Sequence, residues 1–173
     1  FVDTTAYLVN DPLAIVDFNM PGTVDWDTTK RVLPVATSDS QLAIIDGYIY
    51  LFGGKDTNKI LRARVENPAT WEDTGATLPS TLYGSSFAIV DGYSYLFGGI
   101  ADGYETDHAY SASILDPLTW TDHGSVLPLK LSYSQLIVAD GYVSLLGGAS
   151  DRYAVKTIIK APVSNPLSWS DDG

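Results

Sequence analysis

A chain of 173 residues with 45% apolar content can bury a substantial core, but its formal net charge of −11 disfavours nucleic acid and anionic membrane surfaces, whose phosphates need Lys and Arg. No apolar run approaches the roughly 18 residues that read as a membrane span, so insertion into a bilayer is not expected. The absence of cysteine excludes disulfides, thiolate metal sites and cysteine nucleophiles.

Residues 1–33 are the least regular part of the chain. A strand is expected at Ala14–Phe18, a turn at Met20–Gly22, and a further strand at Val24–Asp27 that carries Trp26. From Leu33-Pro34 onward the chain becomes periodic. The apolar run Leu42–Ile45 predicts a strand buried on both faces. Asp46-Gly47 predicts a tight hairpin turn, because glycine tolerates the positive φ such turns need. Tyr48–Phe52 predicts the returning strand, rich in residues that suit a packed pleated surface, and Gly53-Gly54 ends it. A loop leads to a third strand near Ile60–Val65, a turn at Asn67-Pro68 and a fourth strand opened by Trp71.

The block then returns twice. Asp46-Gly47 and Gly53-Gly54 recur as Asp91-Gly92 and Gly98-Gly99, and again as Asp140-Gly141 and Gly147-Gly148. Leu-Pro recurs at Leu33, Leu78 and Leu127, and tryptophan at Trp26, Trp71, Trp120 and Trp169. From each Leu to the next Asp-Gly is 13 positions (33 to 46, 78 to 91, 127 to 140). Only the gap from the second Gly to Trp varies, at 17, 21 and 21. The later third strands are expected at Ser111–Leu115 and Thr157–Ala161, and the later turns at Asp116-Pro117 and Asn165-Pro166. Four short strands in a repeat of about 45 residues, with glycine and aromatics at fixed offsets, make a propeller blade. The units are 34–78, 79–127 and 128–173, with 1–33 as a partial blade: an all-β array of about three and a half blades.

Asp-Gly-x-x-Tyr/Ser-Leu-Phe/Leu-Gly-Gly, a variable gap, Trp and then Leu-Pro resembles the kelch repeat. The resemblance implies a kelch-like β-propeller of four-stranded antiparallel blades. Gly47, Gly53, Gly54 and Trp71, Gly92, Gly98, Gly99 and Trp120, and Gly141, Gly147, Gly148 and Trp169 are then structural, the tryptophans largely buried. Two positions depart from the motif. Ser40-Gln41, Ser85-Ser86 and Ser134-Gln135 stand where Arg and His often precede the first strand, and the tyrosine usual before the Trp is missing. Galactose oxidase-like members bind copper beside a Tyr–Cys crosslink; a chain without cysteine does not imply that chemistry, and no cofactor or metal is expected.

Function is expected in the gap that varies. Lys55, Asp56, Tyr104, Glu105, Asp107, His108, Tyr110, Arg152 and Tyr153 lie in or beside it, and loops on a rigid scaffold are where binding residues concentrate. Tyrosine adds contact area at low entropic cost, so Tyr104, Tyr110 and Tyr153 lead the candidates. Asp73, Asp122 and Asp171 repeat with the blade and are expected to cap turns, since a catalytic residue is needed once. His123 aligns with Thr74 and Asp172, a slot expected in a turn, and His108 has no ligand spacing that makes a metal site. No catalytic motif stands out. The expected function is a non-enzymatic binding module for a protein or carbohydrate partner. The alternatives are a structural or adhesive part of an extracellular or virion appendage, or a carbohydrate-active enzyme propeller. The blades needed to close a ring are expected from a longer chain or from another copy.

Overall fold

A computed structural model of the chain describes residues 6–7, 15–16 and 32–171. The chain divides into two compact units, Phe1–Arg31 and Val32–Gly173. In the first, β1 (Ala6–Tyr7) pairs antiparallel with β2 (Ile15–Val16), which falls inside the strand expected at Ala14–Phe18. The turn at Met20–Gly22, the strand at Val24–Asp27 and Trp26 lie outside the described residues.

The second unit is all β, without a helix among the described residues. The first repeat forms β3 (Gln41–Ile45), β4 (Tyr48–Phe52), β5 (Lys59–Arg64) and β6 (Asn67–Thr77). After a short β7 (Leu82–Tyr83), the second forms β8 (Ser86–Val90), β9 (Tyr93–Phe97), β10 (Ile100–Ala101), β11 (Tyr104–Glu105), β12 (His108–Ser113) and β13 (Thr121–Ser125). The third forms β14 (Gln135–Ala139), β15 (Tyr142–Leu146), β16 (Ala149–Ser150), β17 (Tyr153–Ala154), β18 (Ile158–Pro162) and β19 (Ser170–Asp171). Three four-stranded antiparallel blades result, ordered β3-β4-β5-β6, β8-β9-β12-β13 and β14-β15-β18-β19.

The Asp-Gly turns set the register. Asp46 (φ 47) and Gly47 (φ 74) are both left-handed, the type I′ geometry whose twist suits a two-residue hairpin. Ile45 therefore faces Tyr48, and the same turn closes the other two blades at Asp91-Gly92 and Asp140-Gly141.

The core lies between blades. The first two blades each have a forward face that receives the next repeat. On the first, Tyr50, Phe52, Ile60 and Ala43 pack with Leu78, where the chain leaves that blade, and against Leu82, Tyr110 and Trp120 of the second. On the second, Tyr95, Phe97, Ala109 and Ala88 pack with Leu127, where the chain leaves that blade, and against Leu131 and Ile159 of the third, with Trp169 alongside. Trp120 meets Phe52 edge-on with centroids 5.0 Å apart, and Trp169 meets Phe97 in the same way at 4.9 Å. Such aromatic pairs add about 0.5–1.5 kcal/mol beyond burial. The chain passing between blades also clasps the preceding Gly-Gly. Gly54 N donates to Leu82 O and Gly99 N to Leu131 O, each at 2.8 Å.

Several expectations are corrected. The first strands are not buried on both faces: they alternate, with Leu42 and Ile44 exposed between buried Ala43 and Ile45. Burial of the tryptophans is uneven. Trp120 is buried, whereas Trp71 and Trp169 are half-buried. Trp71 contacts no other ring among the described residues; its indole N–H donates to Pro68 O. The fourth strand of the first blade begins at Asn67, absorbing the expected turn. The second blade's third strand begins at His108 and so takes in His108 and Tyr110.

Candidate functional site

In an antiparallel blade the second and fourth strands run the same way. The variable loops and the connections between blades therefore emerge on one face. In the second and third blades these loops fold into small ribbons. Strand β10 pairs with β11 and also with β7 of the connecting chain, and β16 pairs with β17. Left-handed residues make both tips: Asp102 (φ 49) with Gly103 (φ 87), and Asp151 (φ 51) with Arg152 (φ 69).

The two tips meet at a depression of about 290 Å³ lined by Tyr104, Glu105, Lys130, Asp151 and Arg152. Glu105 joins the blades. Its Oε1 accepts from Ser132 Oγ at 2.9 Å, and its Oε2 accepts from Arg152 N at 3.4 Å. Tyr104 and Tyr153 project from the two ribbons with more than three-quarters of their surface exposed, at 79% and 77%. Tyr104, Glu105 and Arg152 are thus brought together at this depression, with Tyr153 on the adjoining ribbon.

The other candidates separate from this group. Lys55 and Asp56 are exposed on the first blade's loop and do not line the depression. Asp107 ties β12 to β13: its carbonyl accepts from Val126 N and Leu127 N, and its Oδ1 accepts from Ser125 Oγ at 3.2 Å. Tyr110 is 2% exposed in the core, where burial raises its phenol above the ordinary value. It lies in a strand buried on both faces, with Ala109, Ser111 and Ala112 buried beside it, so no period-two pattern marks β12 in the sequence.

His108 Nδ1 lies 3.0 Å from Asp122 Oδ1, in the slot that holds Lys59 Nζ and Asp73 Oδ2 at 3.2 Å in the first blade. It is a repeat position on the blade's outer edge. Asp73 and Asp122 do cap local backbone, accepting from Gly75 N at 2.9 Å and Gly124 N at 2.8 Å. His123 sits in β13 and not in a turn, with Nε2 2.8 Å from Ser111 Oγ.

A larger cleft, about 400 Å³, lies on the same face where the three first strands begin. Its lining includes Asp39, Gln41, Ser85, Tyr133, Ser134 and Gln135. The Ser-Gln, Ser-Ser and Ser-Gln pairs at the start of the three first strands thus come together on one cavity. Part of this polar set is used internally. Gln41 Nε2 donates to Ser85 O at 2.8 Å, and Ser86 Oγ donates to Ser134 O at 2.9 Å. Asp39 is the one charged side chain of the lining among the described residues. Sequence reasoning missed this cleft; its signal was the run of serine and glutamine at three equivalent positions. The arrangement suits holding a polar, uncharged group.

No helix among the described residues is long and apolar enough to cross a membrane. No family model and no curated protein matches the chain. The chain's fold is similar to that of a solved structure, YjhT, at a TM-score of 0.66 and 15% sequence identity. The match covers 79% of this chain and 52% of that one, so the chain spans about half the length of that structure. At this identity the likeness extends to the fold.

Proposed function

We propose that this chain is part of a kelch-type β-propeller that acts as a non-enzymatic binding module through its variable-loop face. The observation that carries the reading is the convergence of Tyr104, Glu105 and Arg152 from two blades on one depression, with Glu105 bonded across the junction. Two exposed tyrosines and an arginine on adjoining ribbons resemble the anchors that dominate protein recognition surfaces. The opposite face carries the Asp-Gly turns, whose uniformity across the blades marks them as architecture.

The test is to probe peptide and glycan arrays with the labelled chain, then map a bound partner by hydrogen exchange. Protection at 100–105 and 149–154 is expected, with at least a tenfold loss of affinity in a Tyr104→Ala/Arg152→Ala double variant. A partner that protects only the Asp-Gly turns would reverse the choice of face.

A further inference from the structure

The cleft at the start of the first strands holds a feature that packing does not demand. Asp39, Gly84 and Tyr133 occupy the same position in successive repeats, one residue before Ser40, Ser85 and Ser134. All three are left-handed, with φ of 56, 61 and 54. Glycine is at ease there and aspartate tolerates it, but a bulky aromatic residue in this region is an outlier. Strained residues of this kind cluster at ligand-binding sites, where the surroundings hold them in place.

Here the surroundings do hold it. Tyr133 N donates to Gly84 O at 2.7 Å. A Cβ added at Gly84 would meet Tyr133 ring carbons at 2.9 Å, so the absent side chain at Gly84 leaves the ring room to lie against this backbone. The ring is nonetheless 49% exposed and lines the cleft. Near it stand Gln135 and Ser85, whose side chains make no hydrogen bond among the described residues, and Gln41, whose Oε1 stays available once Nε2 has bonded Ser85 O.

We infer that this cleft binds a short neutral saccharide, with a sugar ring stacked on Tyr133 and its hydroxyls bonded to Gln41, Ser85, Gln135 and Asp39. The inference rests on the proposed binding face and assigns a ligand class to its central cleft. Amide and hydroxyl groups both donate and accept, which matches the hydroxyls of a sugar. The electron-rich face of a phenol attracts the weakly positive C–H groups of a pyranose. Among the described residues of the lining, an anionic ligand would meet Asp39 and no Lys or Arg. The volume falls at the small end of sites for small molecules, roughly 300–1,000 Å³.

Saturation-transfer NMR on the intact chain, with the methyl glycosides of glucose, galactose, mannose, xylose and N-acetylglucosamine, tests the inference. At least one glycoside should receive saturation, strongest on the protons of one ring face. Tyr133→Phe keeps the platform and should hold affinity within about threefold. Tyr133→Asn suits the left-handed backbone but removes the ring. It should leave the unfolding midpoint unchanged or higher while weakening binding at least tenfold. No transfer to any of the five glycosides from folded wild-type chain would overturn the inference, as would binding that survives Tyr133→Asn. Glycoside binding that is lost in Tyr104→Ala/Arg152→Ala but kept in Tyr133→Asn would leave the face standing and remove the cleft.

Discussion

The forward faces of the second and third blades carry the same repeat positions in opposite environments. Phe97, Ala109 and Ala88 on the second are 1%, 0% and 6% exposed; Leu146, Ile158 and Ile137 on the third are 37%, 51% and 50% exposed. The hydrogen-bonded ladders behind the two faces are the same, with Ala109 opposite Phe97 and Ile158 opposite Leu146. A blade therefore makes its own sheet, while its neighbour supplies the burial. This is the nearest-neighbour energetics of a repeat array, where stability resides in interfaces between units.

The largest test of that difference pairs Phe97→Ala with Leu146→Ala. Phe97 stacks on Tyr95 at 5.5 Å and receives the edge of Trp169, so its truncation leaves a cavity between two blades. A loss of about 3–5 kcal/mol is expected at Phe97 and about 1 kcal/mol at Leu146, measured by urea unfolding. Equal losses at the two positions would show that the third blade's face is covered in solution.

A second pair reads the same contrast through the backbone. Gly98 and Gly147 both have φ of 59, so alanine at either meets the left-handed penalty of roughly 1–2 kcal/mol. Their neighbours differ. A Cβ at Gly98 would sit 2.2 Å from Leu131 O, in the clasp from the next blade, while one at Gly147 meets only Val155 O at 3.4 Å. Gly98→Ala should therefore lose about 1–3 kcal/mol more than Gly147→Ala, the usual range for overpacking. Matching losses would mean that the clasp gives way without cost.

Much of this was legible in the sequence because its determinants are local. Asp-Gly encodes a I′ turn within two residues, and the turn sets the register of the strands on either side. Blade boundaries follow from Leu-Pro and Trp at fixed spacing. Burial was less legible, since it depends on which neighbour is present: Trp71 and Trp120 share a motif but not an environment. Tyr110 was misplaced because β12 is buried on both faces at Ala109–Ala112 and therefore carries no period-two pattern. The cleft was out of reach for a different reason. Asp39, Gly84 and Tyr133 are separated by 45 and 49 positions, and the packing of blades brings them together.

The smallest effect is expected away from both faces, on an edge that stacking does not touch. Asp73 on the outer strand of the first blade accepts from Gly75 N and pairs with Lys59 Nζ, and its carboxyl lies below the ordinary 3.8, first through the Gly75 N–H and then through Lys59. The unfolded chain thus holds a proton on this group at a pH where the folded chain does not. The stabilisation is fully present above about pH 4 and is lost as pH falls through the lower folded value. Asp73→Asn keeps an acceptor for Gly75 but cannot titrate, so it should flatten this part of the acid limb in unfolding curves taken between pH 5 and 2. Lys59→Met removes the second cause alone and should move the transition part of the way back toward 3.8. The pair is largely solvent-exposed and screened, so both changes should be weakened by added salt. In the background of Phe97→Ala these shifts should persist undiminished, because an edge pair in the first blade and a cavity between the second and third share no contact and should add independently. Acid limbs that changed with Phe97→Ala would mean that the blades do not behave as separable units, and the contrast between covered and uncovered faces would then need a cooperative explanation.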